Sequence, residues 1–479
     1  RPLDTAMARL GVKGAFRQHF LPEGFQSDRT VLLVVHNLDA VDRPEKLNAL
    51  IALRAALAEQ GLDLLVFHHC RNPIPGDLPE INYFDPFFEL IQQVQGAALA
   101  RQVRNHVPQE RMSAVTGALY GFYASLNFSP RSWKDCIEQV EDEAQRLFTV
   151  LDAVKPRYVL LWHQWNTVME IGRSLCDSMN LPRAYLHEGM LPKTMTFDPQ
   201  GMMAEAESVG ARLSAPGVEP LPEDQVWLDR ADVVIARIRD EALDRKHASA
   251  IRVGDVGRKL AEGLGAKLVF YAGINDWHSG NLPETGGKTH SPHYRDTMDG
   301  LQALLEIAEQ NDWLILFKPH PNLYPAVITS HPRLFTVREG NTIDCIDVAD
   351  VVVTILSSVS YISMARGKPT VLLGRNTLSG TGAVAEISSR EALGAVVTEA
   401  LSAQGFEQRA AAFRNHVAAL LKDHLYHYDP EDTLATRGQS VLAQRLRALA
   451  GVDAAAGAKH VMHRKAEAEA WATTWETAE

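Results

Sequence analysis

The chain is poor in cysteine, and what cysteine it has shows no pairing pattern. Cys70, Cys136, Cys176 and Cys345 are widely scattered through 479 residues. Neither a disulfide framework nor a Cys-ligated zinc site is expected from such spacing, and a reducing cytoplasm suits it. Apolar runs of about 18 residues are also missing, which argues against a membrane-spanning helix. No signal peptide is recognisable. Positive charge is in deficit: 48 Lys and Arg face 59 Asp and Glu, for a net −11 with His neutral. That balance argues against a general nucleic-acid binder but leaves room for a local basic site. No Gly-x-Gly-x-x-Gly fingerprint follows the first strand, which counts against a nicotinamide-dependent enzyme, and there is no Walker loop or Asp-x-Asp metal motif. No internal repeat of 20 to 50 residues is visible. The chain opens at Arg1 rather than Met, which is compatible with excision from a longer protein.

What is present is an alternation of apolar strands and amphipathic helices. The apolar fraction of 46% can fill a large core, and the length suits two domains with a helical appendage. Thr30–Val35 reads as the first strand, ending at His36, Asn37 and Asp39. A helix over 44–60 leads to the strand Asp63–Phe67, which ends in His68 and His69. After a mainly helical stretch over 86–150 come the strand Arg157–Trp162, the helix Thr167–Met179 and the short strand Ala184–Leu186. Residues 202–260 mix helix with the Pro-containing segment Ala215–Pro222, a natural linker zone.

A second series starts at Lys267–Tyr271. It continues through a helix over 295–311, the run Trp313–Phe317, a strand over 348–354 and another within 367–374. Strands alternating with helices predict parallel sheets covered on both faces. The expected fold class is α/β, with two Rossmann-like domains facing a central cleft. Residues 1–245 and 246–450 would form the two domains, and 451–479 a C-terminal helix or tail. One large doubly wound domain with insertions is the alternative.

Ligands in open α/β sheets bind beyond the carboxyl ends of the strands, so residues placed there are the candidates. Lys318, Pro319, His320 and Pro321 directly follow Trp313–Phe317. The prolines keep this exit extended, and a cation beside an imidazole suits a phosphate. The plainer reading is a Pro-rich turn with an incidental His. His187-Glu188-Gly189 ends another strand. Glu188 could serve as general base for a hydroxyl if its surroundings raise its pKa, or could simply cap the next helix or pair with Lys193.

In Gly273–Gly280, glycines flank a polar run and permit close backbone approach. Asp276 there is a nucleophile or substrate clamp, or else the centre of an Asx turn. Ser357 and Ser358 open a helix, where backbone N–H groups and hydroxyls form an anion site or where Ser358 is an ordinary N-cap. Adjacent His68 and His69 face opposite sides of a strand and cannot chelate one metal from it. A metal role for His290 and His293 is weakly indicated, so no metal site is expected. Trp162, His163, Gln164, Trp165 and Asn166 would line a sugar site or pack between domains.

The order acid-Gly turn, Lys-Pro-His-Pro loop and Ser-Ser helix start resembles bacterial GT-B glycosyltransferases that use CMP-activated acidic sugars. These are the capsular polysaccharide β-Kdo transferases and the related sialyl- and polysialyltransferases. Glu188–Gly201 and Ala365–Val371 are similar to the capsule branch, so the resemblance spans about 160 to 375. It implies that His320 and Pro321 contact the CMP phosphate with Lys318, Ser357 and Ser358 beside them. It also implies that Glu188 is the acid on the acceptor side and that Asp276 is the nucleophile of a retaining reaction. The family's Gln four residues before that Asp is Ala272 here.

On this resemblance the first domain holds a saccharide or glycolipid acceptor and the second the CMP-sugar. No cofactor or metal is required, and the enzyme works in the cytoplasm with peripheral docking on capsule assembly machinery. Two other readings compete. One is a CDP-glycerol-type polyol-phosphate transferase, with His187 or His36 as base. The other is a non-catalytic nucleotide- or glycan-binding module.

Overall fold

The computed structural model describes residues 2–36, 44–70, 73–74, 78–125, 131–165, 167–191, 193–240, 252–276, 290–320 and 330–427. The expected domain boundary at 245–246 and the tail 451–479 lie outside these residues, as do Pro321, Pro192 and Asn166.

The first half contains α1 (Pro2–Phe20), β1 (Thr30–Val35), α2 (Pro44–Glu59), β2 (Asp63–His68), β3 (Glu80–Asn82), α3 (Pro86–His106), α4 (Gln109–Ser125), α5 (Trp133–Val154), β4 (Tyr158–Trp162), α6 (Thr167–Met179), β5 (Arg183–Glu188), β6 (Thr194–Asp198) and, after short 3-10 turns, α7 (Gln225–Asp240). The second half contains α8 (Val253–Leu264), β7 (Lys267–Ala272), α9 (Thr297–Ala308), β8 (Trp313–Lys318), β9 (Leu334–Thr336), α10 (Thr342–Val348), β10 (Val351–Thr354), α11 (Val359–Ala365), β11 (Thr370–Leu372), β12 (Ala385–Glu386), α12 (Leu393–Leu401), α13 (Phe406–Asp423) and β13 (Leu425–His427).

The strands form two sheets. One runs β13-β6-β5-β4-β1-β2-β3 and the other β12-β11-β10-β7-β8-β9. Counted from its own first strand, each has the Rossmann order 3-2-1-4-5-6, in which the chain reverses direction beside the first strand. The second sheet is parallel throughout. The first is parallel except for β6 and β13 at one edge. The central strands β1, β4, β8 and β10 are buried along their whole length, as sheets covered on both faces require. The α/β fold with two Rossmann-like sheets is therefore the one expected, and the single-sheet alternative is excluded.

Three features depart from the sequence-based expectations. The acid-Gly turn leads into the antiparallel strand β6, not a helix, and β5 extends to include Glu188. The strand expected from 348 begins at Val351, because Thr342–Val348 forms α10 with Asn341 as its cap. The chain then returns after α13 to add β13 to the first sheet.

The carboxyl edges of the two sheets meet. Trp165, just beyond β4, packs edge-on against the buried His290 ring with centroids 4.7 Å apart. The His290 carbonyl accepts from Arg375 N at 2.7 Å, beyond β11. Trp165 is thus inter-domain packing, one of the two roles open to it. No helix among the described residues is long and apolar enough to cross a membrane.

Candidate functional site

The second sheet's carboxyl edge gathers most of the predicted residues. β8, β7 and β10 are neighbours, so the segments after them lie side by side. Gly273 N donates to the Lys318 carbonyl at 2.9 Å. A Cβ at 273 would lie 3.2 Å from both His320 N and Lys318 O, so any larger residue there would push the two loops apart by a few tenths of an ångström. Lys318 is just 5% exposed, and no described residue forms an ion pair with its Nζ. A buried cation without a counter-charge is costly unless a ligand supplies one. His320 is half-buried at the mouth of the same loop.

Asp276 is buried, and both its oxygens accept from Thr297 N at 3.1 Å. The carboxylate therefore sits on the first turn of α9, where an anion is stabilised by the helix end. At the third loop the roles of the two serines differ from expectation. Ser357 Oγ accepts from Val359 N at 3.2 Å, whereas Ser358 makes no side-chain cap and stays exposed. Ser358 consequently remains available to a ligand while Ser357 shapes the turn.

In the first sheet, Glu188 ends β5 opposite Met195. The turn to β6 closes through Gly189 N donating to Thr194 O at 2.8 Å. A Cβ at Gly189 would lie 2.9 Å from Leu425 Cδ2 and closer still to Thr194 Oγ1, so packing against Thr194 and β13 requires glycine at 189. Further along, Asp198 is a structural clasp. Its Oδ1 accepts from Gln200 N and Gly201 N and its Oδ2 from Glu207 N, at 2.8, 3.1 and 2.7 Å. His187 is buried, with Nδ1 2.6 Å from the Glu188 carbonyl, and burial pushes its pKa down to about 4.

At the switch point of this sheet, His163 takes a positive φ of 78°. This conformation is uncommon for a non-glycine residue and is concentrated at functional sites.

Sequence reasoning overlooked a cluster beside β1. His36 and His69 follow β1 and β2, and their rings are 4.8 Å apart. Glu143 of α5 approaches them, 3.9 Å from His36 Nε2. Burial raises the Glu143 carboxyl to about 7. The signal was present: Glu143 interrupts the apolar stripe Cys136, Val140, Ala144, Leu147 on the buried face of α5. β1 and α5 thus bring His36 and Glu143 to His69 from other elements.

Fold and edge together define an α/β two-domain protein built on two Rossmann-type sheets. No family model matches the sequence, and no curated protein shows significant sequence similarity to it. Solved structures similar to it include KpsC from Thermosulfurimonas dismutans, described as a β-Kdo 2,7 transferase. That comparison has 16% identity over 66% of this chain and 91% of that one, with a TM-score of 0.38. The β-Kdo 2,4 transferase of the same KpsC gives 18% identity over 49% and 74%, with a TM-score of 0.34. S. aureus MnaA with UDP gives 11% identity over 82% and 94%, with a TM-score of 0.35. At these values the likeness adds no argument about function, and the fold rests on the chain's own strand orders.

Proposed function

We propose that the chain is a glycosyltransferase of surface polysaccharide assembly that takes Kdo or a related ulosonic acid from a CMP-activated donor and passes it to a saccharide acceptor. The observation that carries this reading is Lys318, a buried cation with no counter-charge among the described residues, on the carboxyl edge of a Rossmann-type sheet. A donor phosphate supplies the missing charge. As CMP leaves, negative charge grows on that phosphate, and Lys318, His320 and the Ser358 hydroxyl stabilise it in place. Such fixed electrostatic stabilisation is commonly the largest catalytic contribution, and the donor step is read as metal-independent on that ground.

Glu188 acts on the acceptor hydroxyl from the first sheet, and Asp276 flanks the sugar's anomeric carbon. Product stereochemistry reads the part of Asp276. Net retention requires a glycosyl-enzyme on Asp276, by the double-displacement logic of retaining glycosidases. Net inversion leaves Glu188 as the sole base. On this reading the enzyme works at the cytoplasmic face of the membrane with its glycolipid acceptor and the capsule machinery.

A thermal-shift series with CMP, CDP, UDP, GDP and AMP on wild type and His320→Ala tests the proposal. A CMP-selective shift that disappears in the variant is expected. A preference for UDP or GDP overturns the ulosonic acid donor, and the absence of any nucleotide shift overturns the transferase reading itself.

A further inference from the structure

The His36–His69–Glu143 cluster has no part in the donor chemistry. One ligand atom from each residue lies within 4.8 Å of the other two. Glu143 is 2% exposed, and among the described residues neither its Oε2 nor the buried His69 Nε2 has a hydrogen-bond partner. Two buried polar atoms left unpaired in one spot carry a desolvation cost that native structures normally avoid. An ion pair between a protonated His36 and Glu143 would engage one carboxylate oxygen but leave His69 Nε2 unexplained. A cation bound among the three satisfies both atoms.

We propose that His36, His69 and Glu143 together ligate one divalent transition-metal ion, with at least one coordination position left open. Two imidazoles and one carboxylate form a zinc-class donor set, and three protein ligands are the number found where a fourth position takes water or substrate. Ligand bonds of about 2.0–2.2 Å require the three groups to draw together from the present spacing. His36, with a side chain 39% exposed, has the freedom to do so.

The surroundings already orient the other two. Gln139 Nε2 donates to Glu143 Oε1 at 2.9 Å, which leaves Oε2 as the unpartnered oxygen. The Tyr83 ring stacks on His69 with centroids 3.9 Å apart. Tyr83 is in turn held by its hydroxyl on Asp142 and by Arg146 over its face. Arg146, whose charge acts on His69, is offset by Asp142 at 3.0 Å. Outer partners of this kind fix ligand orientation and contribute to affinity. The cluster lies on the carboxyl edge of the first sheet, so the open position is available to a ligand oxygen bound there. The proposal stands independently of the donor reading, because it concerns a different sheet and needs no nucleotide.

The test uses the whole chain, stripped with chelator and titrated with Co(II) and then Zn(II) in the absence of nucleotide. It is followed by visible absorption and calorimetry. Wild type is expected to bind one equivalent. His69→Ala and Glu143→Gln should each weaken binding by roughly a hundredfold or more, and Gln139→Ala by about tenfold. The exposed neighbour change Glu141→Gln should leave binding unaltered. Circular dichroism checks that each variant folds. Zinc should raise the Tm of wild type but not of Glu143→Gln, a change nearly isosteric with the native side chain. Absence of stoichiometric binding in wild type overturns the proposal, as does unchanged affinity in both ligand variants.

Discussion

Replacing Lys318 with Met should stabilise the protein while disabling it. Lys318 is 5% exposed and has no ion-pair partner among the described residues. Met keeps an unbranched apolar stem of similar length and removes the charge. Isolated buried ions cost several kcal/mol in the limit of full desolvation. Allowing for relaxation and water penetration around a single charge, the expected gain is about 1–2 kcal/mol. For a domain of this size that corresponds to roughly 2–8 °C in Tm.

The same change removes a charge-assisted hydrogen bond to phosphate, a loss of about 1.5–3 kcal/mol, or about 10- to 150-fold in Kd. Differential scanning calorimetry of the free protein and calorimetric titration with CMP read the two effects separately. Lys318→Arg restores the charge but not the shape, and should recover affinity only in part. A Met variant that melts lower than wild type and binds CMP equally well would refute the reasoning, by showing that Lys318 is a structural residue.

Four further changes have defined outcomes. Gly189→Ala should cost about 2–4 kcal/mol in urea unfolding, from overpacking against Thr194 and Leu425 and loss of the 2.7 Å Thr194–Leu191 hydrogen bond. Adding Thr194→Ala should recover part of that loss, and purely additive costs would contradict the contact. Gly273→Ala should fold, since its tight contacts are at 3.1–3.2 Å, yet lose nucleotide binding as the Lys318–His320 segment is displaced; unchanged CMP titration speaks against the cradle. Glu188→Gln should leave CMP binding intact and slow sugar transfer by about 10²–10⁴-fold, measured as product formed per unit time.

Acid should destabilise the fold through His187 and His416, which burial holds at about 4 and about 3 against about 6.5 unfolded. Below pH 6.5 the unfolded chain takes protons that these folded side chains refuse. Stability therefore falls with pH, by roughly 3 kcal/mol per unit near pH 5 from the pair. His187→Asn should remove about half of this slope in urea midpoints measured from pH 6.5 to 5, and an unaltered slope contradicts the assignment.

The α/β class, the paired sheets and the strand ends bearing Lys318, Gly273 and Glu188 follow from the sequence, because apolar strand runs and helical periodicity are local patterns. Trp313–Lys318 could hardly be anything but a buried strand, and the prolines after it fix where the edge lies. Other features depended on distant partners. Thr194–Asp198 is a strand because β5 and β13 flank it, although Leu425 is more than two hundred residues away in the chain.

Asp276 became a helix anchor through Thr297, and Ser357 took the capping role that its neighbour seemed to offer. Trp165 met His290 only because the two sheet edges face each other. The His36–His69–Glu143 cluster is the clearest case. Two strand ends and one helix turn, each unremarkable alone, are brought within 4.8 Å by the parallel pairing of β1 with β2 and the packing of α5. Local propensity determined which elements form, whereas side-chain chemistry that requires several elements at once was decided by tertiary packing.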